Sequence, residues 1–217
     1  MPASRFPRFY AILDPALRPE LPLAELARML AGAGVRLVQL RAKQASSQSL
    51  LAAANELLSA LPSSCSLIVN DRADVAALAG DAGVHLGQDD LPPAAAREIL
   101  GPGALIGLST HNAEQVQAAA SAPVDYLAFG PIFATASKDK PDPVVGCEGL
   151  RAVRSLTEKP LVAIGGITPE NAASVIEAGA DSVAVIRGWL VPTQEGPAAG
   201  DIPRRLEEFR RALGRLD

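Results

Sequence analysis

Eight short, near-continuous apolar runs recur along this 217-residue chain, and they do not alternate apolar with polar positions. They are Tyr10–Leu13, Leu37–Leu40, Leu67–Val69, Val84–Leu86, Leu105–Leu108, Tyr126–Phe129, Leu161–Ile164 and Val183–Ile186. A strand with one wet face alternates; a strand apolar throughout must be covered on both faces, as in parallel sheets flanked by helices. Between the runs lie Ala/Leu-rich stretches of helical character: Leu23–Ala33, Ser49–Leu61, Ala94–Leu100, Ala113–Ala120, Leu150–Leu156 and Pro169–Ala178. The alternation predicts an α/β fold with right-handed βαβ crossovers. Eight units without a linker favour a single-domain (βα)8 TIM barrel over residues 1–217, with a doubly wound open sheet as the alternative.

Composition narrows the partners. Hydrophobic residues make up 48% of the chain but aromatics only 4%, so Ala, Val, Leu and Ile must build the core. A net charge of -4 offers no basic stripe for nucleic acid. No apolar run approaches a membrane span, and the first residues show no apolar signal-peptide region. Cys65 and Cys147 form no CxxC pair, which fits a reduced, cytoplasmic protein. Small-molecule substrates are the expected partners, and a homo-oligomer stays open.

Helix signals agree with these boundaries. Asn112 with Gln115 fits a capping box, and Thr168-Pro169-Glu170 reads as an N-cap, a first-position proline and an acidic first turn. Gly32 and Gly34 fall where a helix should stop, and Pro203–Leu213 is amphipathic enough to close the ring as a last helix. The connection Pro131–Gly146 is long, polar and carries Lys138, Asp139 and Lys140. A βα connection of that length is expected to be a mobile lid.

The chemically capable residues follow the strands. Gln39, Arg41 and Lys43 come at strand two, Asn70 and Asp71 after strand three, Asp89 and Asp90 after strand four. Ser109-Thr110-His111 end strand five, Thr135 to Lys138 follow strand six, Gly165-Gly166 follow strand seven, and Ile186-Arg187-Gly188 end strand eight. In a barrel all of these meet at the carboxyl-end mouth, where active sites of the fold lie. Arg41, Lys43, Lys138 and a hard cation held by Asp71 and Asp90 suit a polyphosphate. Thr135, Ser137 and the Gly165-Gly166 amides, beside a helix N-terminus, suit a second and smaller anion.

Each residue also has a plainer account. Asp71 would serve as a cap for a helix beginning at Ala73, and Asp90 for one near Pro92; singly, capping explains each as well as a metal does. Arg41 and Lys43 alone would be solvated charges, His85 sits within an apolar strand, and His111 falls at a helix start. With two histidines and no HExxH, a catalytic zinc is not expected. Cys147 and Trp189 read as packing residues. Capping does not explain why the polar groups follow strands and none precede them.

The stretches QLRAK (Gln39–Lys43), Asn70-Asp71, GVHLGQDDL (Gly83–Leu91), GLSTHN (Gly107–Asn112), GPIFATASK (Gly130–Lys138), AIGGI (Ala163–Ile167) and AGADSVAVI (Ala178–Ile186) together resemble the thiamine phosphate synthase family, within its superfamily with thiazole tautomerase. The resemblance implies a (βα)8 barrel that joins a pyrimidine diphosphate to a thiazole phosphate, forming thiamine phosphate and releasing pyrophosphate. It assigns Gln39, Arg41, Lys43, Asn70, Ser109 and Lys138 to the pyrimidine diphosphate, and Asp71 and Asp90 to magnesium (Mg2+). Thr135, Ser137, Gly166, Ile186 and Arg187 would surround the thiazole phosphate. Arg41, Lys43, Lys138 and Ser109 would act on the reacting groups. The chain departs from the family pattern at Ala42 (often Glu), Ala134 (usually Pro), Ser137 (Thr) and Arg187 (commonly Ser).

The implied chemistry is a dissociative substitution that needs no protein nucleophile. That fits the absence of any Ser-His-Asp or Cys-His pattern. A thiazole tautomerase on the same barrel would need a proton-transfer group, expected as a histidine where this chain has Pro131, and no diphosphate set. A non-catalytic thiazole phosphate-binding paralogue would have no use for Asp71 and Asp90. A sugar-phosphate epimerase or isomerase would share the Gly165-Gly166 region but not QLRAK or GQDD.

Overall fold

The computed structural model describes residues 6–135, 142–190 and 201–217. Eight parallel strands close into a barrel in sequence order: β1 (Phe9–Leu13), β2 (Leu37–Leu40), β3 (Ser66–Asn70), β4 (Ala82–Leu86), β5 (Ile106–Thr110), β6 (Tyr126–Phe129), β7 (Leu161–Ile164) and β8 (Ser182–Val185). Pairing of β1 with β8, through Phe9 opposite Val183 and Ala11 opposite Val185, closes the ring. This decides for the barrel and against the open sheet. The outer helices are α1 (Leu23–Gly32), α2 (Ser47–Ala60), α3 (Ala73–Ala79), α4 (Pro93–Leu100), α5 (Ala113–Ala119), α6 (Gly146–Arg154), α7 (Pro169–Glu177), α8 (Arg187–Leu190) and α9 (Asp201–Leu213).

Two cores follow from the period-two geometry of the strands. One face of each strand packs on the helices, joining residues such as Phe9, Ala11, Val38, Val69, Val84, Leu127 and Val183 with Leu26, Leu57 and Phe209. The other face fills the barrel with Phe6, Tyr10, Ile12, Leu37, Ile68, Tyr126, Ala128, Val162 and Ala184. Because side chains alternate, Gln39 shares the inward face with Leu37, Asn70 with Ile68, and Ser109 with Gly107. Inward polar residues therefore lie one step nearer the mouth than the apolar filling.

The helix signals translate as physics requires, with two differences. Helix α1 stops at Gly32, and Gly34 takes a φ of 88° while Val35 N–H donates to the Leu30 carbonyl at 3.0 Å. Thr168 and Asn171 cap α7 reciprocally. At α5, Asn112 accepts from Gln115 N–H at 2.9 Å, but the Gln115 side chain accepts from His111 N–H, one residue earlier than a capping box would have it. The one-turn helix α8 was not foreseen, since four residues carry no periodicity. Its Trp189 is buried, as a packing residue should be, and donates Nε1–H to the Val185 carbonyl at 2.9 Å. Strand β8 consequently ends at Val185, so Ile186 and Arg187 lead into α8. Among the described residues, no helix is long and apolar enough to cross a membrane.

Candidate active site

Neither aspartate at the mouth is a helix cap. Helix α3 starts from Arg72 and α4 from Pro92, with no side-chain cap at either. Asp71 instead adopts a φ of 64°, and it is the one non-glycine with positive φ among the described residues. Left-handed backbone at a non-glycine costs roughly 1–3 kcal/mol and persists only where surroundings impose it. Here Asp71 N–H donates to the His85 carbonyl at 2.8 Å, continuing the β3–β4 ladder by one bond while the chain turns. The turn brings the Asp71 carboxyl close beside that of Asp90. Asp90 is itself fixed by Gly87 N–H, which donates to its Oδ2 at 2.6 Å.

Partial burial, then the adjacent Asp90 charge, push the Asp71 carboxyl above the usual carboxylate range, and Lys43 opposes them. Lys43 Nζ lies 3.6 Å from Asp71 Oδ2. Two carboxylates pressed together by the ends of adjacent strands favour a positive charge between them. The donor set, all oxygen and only two residues deep, fits magnesium, which keeps several waters and shares substrate phosphate oxygens. Among the described residues, no group of three or more His, Cys, Asp or Glu is assembled, so a closed protein cage is not offered.

Arg41 is placed differently from the sequence expectation of a phosphate ligand alone. Its Nη1 donates to Asp14 Oδ2 at 2.6 Å, in a partly buried ion pair at the same rim. A guanidinium bonded to a carboxylate keeps its charge, so the pair anchors Arg41 over the mouth and does not remove it from the site. Sequence reasoning missed Asp14, although the signal was present: strand one also ends in a carboxylate, Ile12-Leu13-Asp14.

Beneath the charged rim lies a polar layer. Gln39 and His85 are buried and Ser109 partly so. His85 Nε2 is 2.9 Å from Ser109 Oγ, and its Nδ1 is 3.0 Å from Tyr126 Oη. Burial drives the His85 pKa down to about 4, with Asp90 pulling weakly the other way, so the imidazole is neutral near pH 7. Reading His85 as an apolar-strand residue was right about its burial and missed its partners.

On the far side of the mouth, Gly165 and Gly166 have φ of 103° and 63°. They lie directly beneath the segment after β6: Ile132 N–H donates to the Ile164 carbonyl at 2.8 Å and Phe133 N–H to the Gly165 carbonyl at 3.0 Å. A side chain at Gly166 would come within 2.7 Å of Phe133 Cβ. The close approach of two loops therefore demands these glycines, a role beyond the anion-binding amides expected of them. Thr135 is half-buried at the end of that segment. Ile186 packs onto the barrel filling and Arg187 is exposed. Ser137, Lys138 and most of the expected lid lie outside the described residues.

The site thus gathers Asp14, Gln39, Arg41, Lys43, Asn70, Asp71, Asp90, Ser109, Thr135 and Gly166 at the carboxyl-end mouth, as the strand-end pattern requires. A sequence model described as thiamine monophosphate synthase matches residues 9–189. A thiamine-phosphate synthase of Koribacter versatilis is 57% identical over 195 residues, 88% of this chain and 92% of that protein. Another, of Azorhizobium caulinodans, is 43% identical over 203 residues, 93% of this chain and 96% of that protein. A solved thiamine phosphate pyrophosphorylase from Pyrococcus furiosus superposes with a TM-score of 0.82 at 32% identity, covering 95% of each chain. On the extent of these matches, the chain belongs to the thiamine monophosphate synthase family.

Proposed function

We propose that this chain is a thiamine-phosphate synthase, a transferase that couples 4-amino-2-methyl-5-(diphosphooxymethyl)pyrimidine to thiazole phosphate. The observation that carries the reading is the pair of neighbouring carboxylates, Asp71 and Asp90, flanked by Lys43 and Arg41 at one rim. A monophosphate sensor, a tautomerase or a sugar-phosphate isomerase has no need of that set.

Gln39, Asn70 and Ser109 hold the aminopyrimidine above the barrel filling. Its diphosphate extends over the rim toward Lys43 and Arg41, and Lys138 supplies a further positive charge to it. Asp71 and Asp90 would hold magnesium, which when bound supplies positive charge to the diphosphate oxygens. The C–O bond between the pyrimidine methylene and the diphosphate breaks, and its electron pair leaves with pyrophosphate. The 4-amino group donates electron density to the cationic carbon. The thiazole nitrogen then gives its lone pair to that carbon, and no proton need be removed by the protein. Thr135, Ser137, Gly166, Ile186 and Arg187 position the thiazole phosphate for this attack. Rate enhancement comes from leaving-group electrostatics and from holding two reactants in line.

The free thiols Cys65 and Cys147 fit a reducing, cytoplasmic setting. The direct test mixes the purified protein with both substrates, with and without magnesium, and measures thiamine phosphate and pyrophosphate in equal amounts. Formation of both only with magnesium is expected. Absence of product, or conversion of the thiazole phosphate alone, would refute the synthase reading.

A further inference from the structure

An unbroken line of hydrogen bonds crosses the interior of the barrel from β2 to β5. Gln39 Nε2 donates to Tyr10 Oη at 2.7 Å. Tyr10 Oη is 2.9 Å from Tyr126 Oη. Tyr126 Oη is 3.0 Å from His85 Nδ1, and His85 Nε2 is 2.9 Å from Ser109 Oγ. The rings are packed as well as bonded: Tyr10 meets Tyr126 edge-on and His85 stacks on Tyr126. Gly107 faces inward between them, and a Cβ there would overlap the Tyr126 phenol and the His85 ring. A strand residue with no side chain is the condition for the Tyr126–His85 link.

Proton counting makes this line run one way throughout, and the Gln39 amide, donating to Tyr10, sets which way. Each phenol has one proton, and the neutral imidazole has one N–H. With Gln39 donating, all four links form with every phenol proton used only if Tyr10 donates to Tyr126, Tyr126 to Nδ1 of His85, and Nε2–H of His85 to Ser109. The reverse direction is the only other complete arrangement, and it requires the Gln39 amide to be turned over. Buried hydroxyls left without partners are costly, so a mixed state is disfavoured. Among the described residues, no protein group hydrogen-bonds Gln39 Oε1.

We propose that Tyr10, Tyr126 and His85 are positioning residues that lock the Gln39 amide in one orientation, so that the site selects a 4-aminopyrimidine over its 4-oxo counterpart. In this orientation Gln39 offers an acceptor, Oε1, beside the second Nε2 proton. An aminopyrimidine edge is complementary to that pair, donating from its amino group and accepting at its ring nitrogen. A 4-oxo ring presents a carbonyl and a ring N–H in the opposite order. Accepting it requires the amide to flip and every link behind it to reverse. The enzyme would thereby exclude the product of hydrolytic deamination of its own substrate.

The inference rests on the synthase reading, and its test separates the two. Tyr126→Phe and Tyr10→Phe each delete two of the four links and keep the ring. For each, and for the unaltered enzyme, one measures KM for the amino diphosphate, the inhibition constant of the 4-oxo diphosphate, and KM for thiazole phosphate. The preference for amino over oxo should fall about tenfold or more in both variants, the loss of roughly one hydrogen-bonded discrimination. KM for thiazole phosphate should stay within twofold. A preference unchanged in either folded variant overturns the inference while leaving the synthase reading intact. A second measurement needs no variant and no substrate. The chain has two histidines, so nitrogen-15 shifts of His85 report its tautomer: proton on Nε2 supports the relay, proton on Nδ1 overturns it.

Discussion

The two ends of the barrel treat their charges in opposite ways. At the amino end, one device appears twice. Asp125, just before β6, accepts at a single oxygen from Arg97 and from the first N–H of β5, both at 2.7 Å. Asp181, just before β8, does the same with Arg154 and the first N–H of β7, both at 2.8 Å. The arginines then saturate loop carbonyls: Arg97 reaches the Ala104 carbonyl at 2.6 Å, and Arg154 reaches that of Lys159 at 3.0 Å. At the carboxyl end, by contrast, two carboxylates lie close together, a lysine stands 3.6 Å off, and a non-glycine is held at positive φ. Charges at the base satisfy one another; at the mouth Arg41 and Asp14 do so, while Asp71 and Asp90 are set side by side with Lys43 at a longer distance. The difference separates residues that hold the barrel from residues that use it.

Substitutions at the two ends should therefore fail in different ways. The largest effect is expected for Asp90→Ala or Lys138→Ala. Turnover should fall at least a hundredfold, about 3 kcal/mol of transition-state stabilisation, with an unfolding temperature lowered by no more than roughly 4 °C. Near-normal steady-state turnover at saturating magnesium would remove that residue from the mechanism. Arg154→Ala should show the converse. Loss of its carbonyl and Asp181 bonds should cost roughly 2–3 kcal/mol, seen by calorimetry as roughly 5–10 °C, with kcat and both KM values within twofold. If turnover collapses with it, the division between the two ends is wrong.

Gly166→Ala lies between these cases. The residue has a φ of 63° and lies against Phe133 and Ala134. We expect a stability loss of roughly 1–3 kcal/mol together with about a tenfold higher KM for thiazole phosphate, equivalent to 1.4 kcal/mol. An unchanged KM would show that this loop contact serves only the fold. The smallest effect is electrostatic and belongs to α9, whose chain continues to Leu216 and bonds Phe9 at the base. Arg210, then Arg211, lower the Glu207 pKa from 4.5 to about 2. A depressed carboxylate pKa stabilises the fold above the unfolded value, and that contribution is lost as pH falls through the folded one. The melting difference between the unaltered chain and Glu207→Gln should be small above pH 4.5 and vanish near pH 2. A difference that grows on acidification would contradict the assignment.

Particular residues show how far a linear reading reaches. Apolar runs at Tyr126–Phe129 and Leu161–Ile164 match β6 and β7 to the residue, because a fully covered strand leaves no other account of such a run. Asp71 shows the limit. From sequence it is as good a helix cap as a metal ligand, and only the backbone turn that carries it to Asp90 removes the capping account. Arg41 is legible as a mouth cation, but its bond to Asp14 joins residues 27 apart that follow neighbouring strands. Tyr10 and Tyr126 were legible only as apolar strand residues, since nothing local distinguishes a phenol that packs from one that also relays.

The order of elements in this chain determined the fold and the face on which its chemistry sits. Parallel strands all point the same way, so residues that follow them must share a rim. Closure of the ring decided the rest. It sets β1 and β6 across the barrel axis, and so places two hydroxyls 116 residues apart at 2.9 Å. Contacts across that axis join strands that are not neighbours in the sheet, and neither periodicity nor spacing along the chain encodes them.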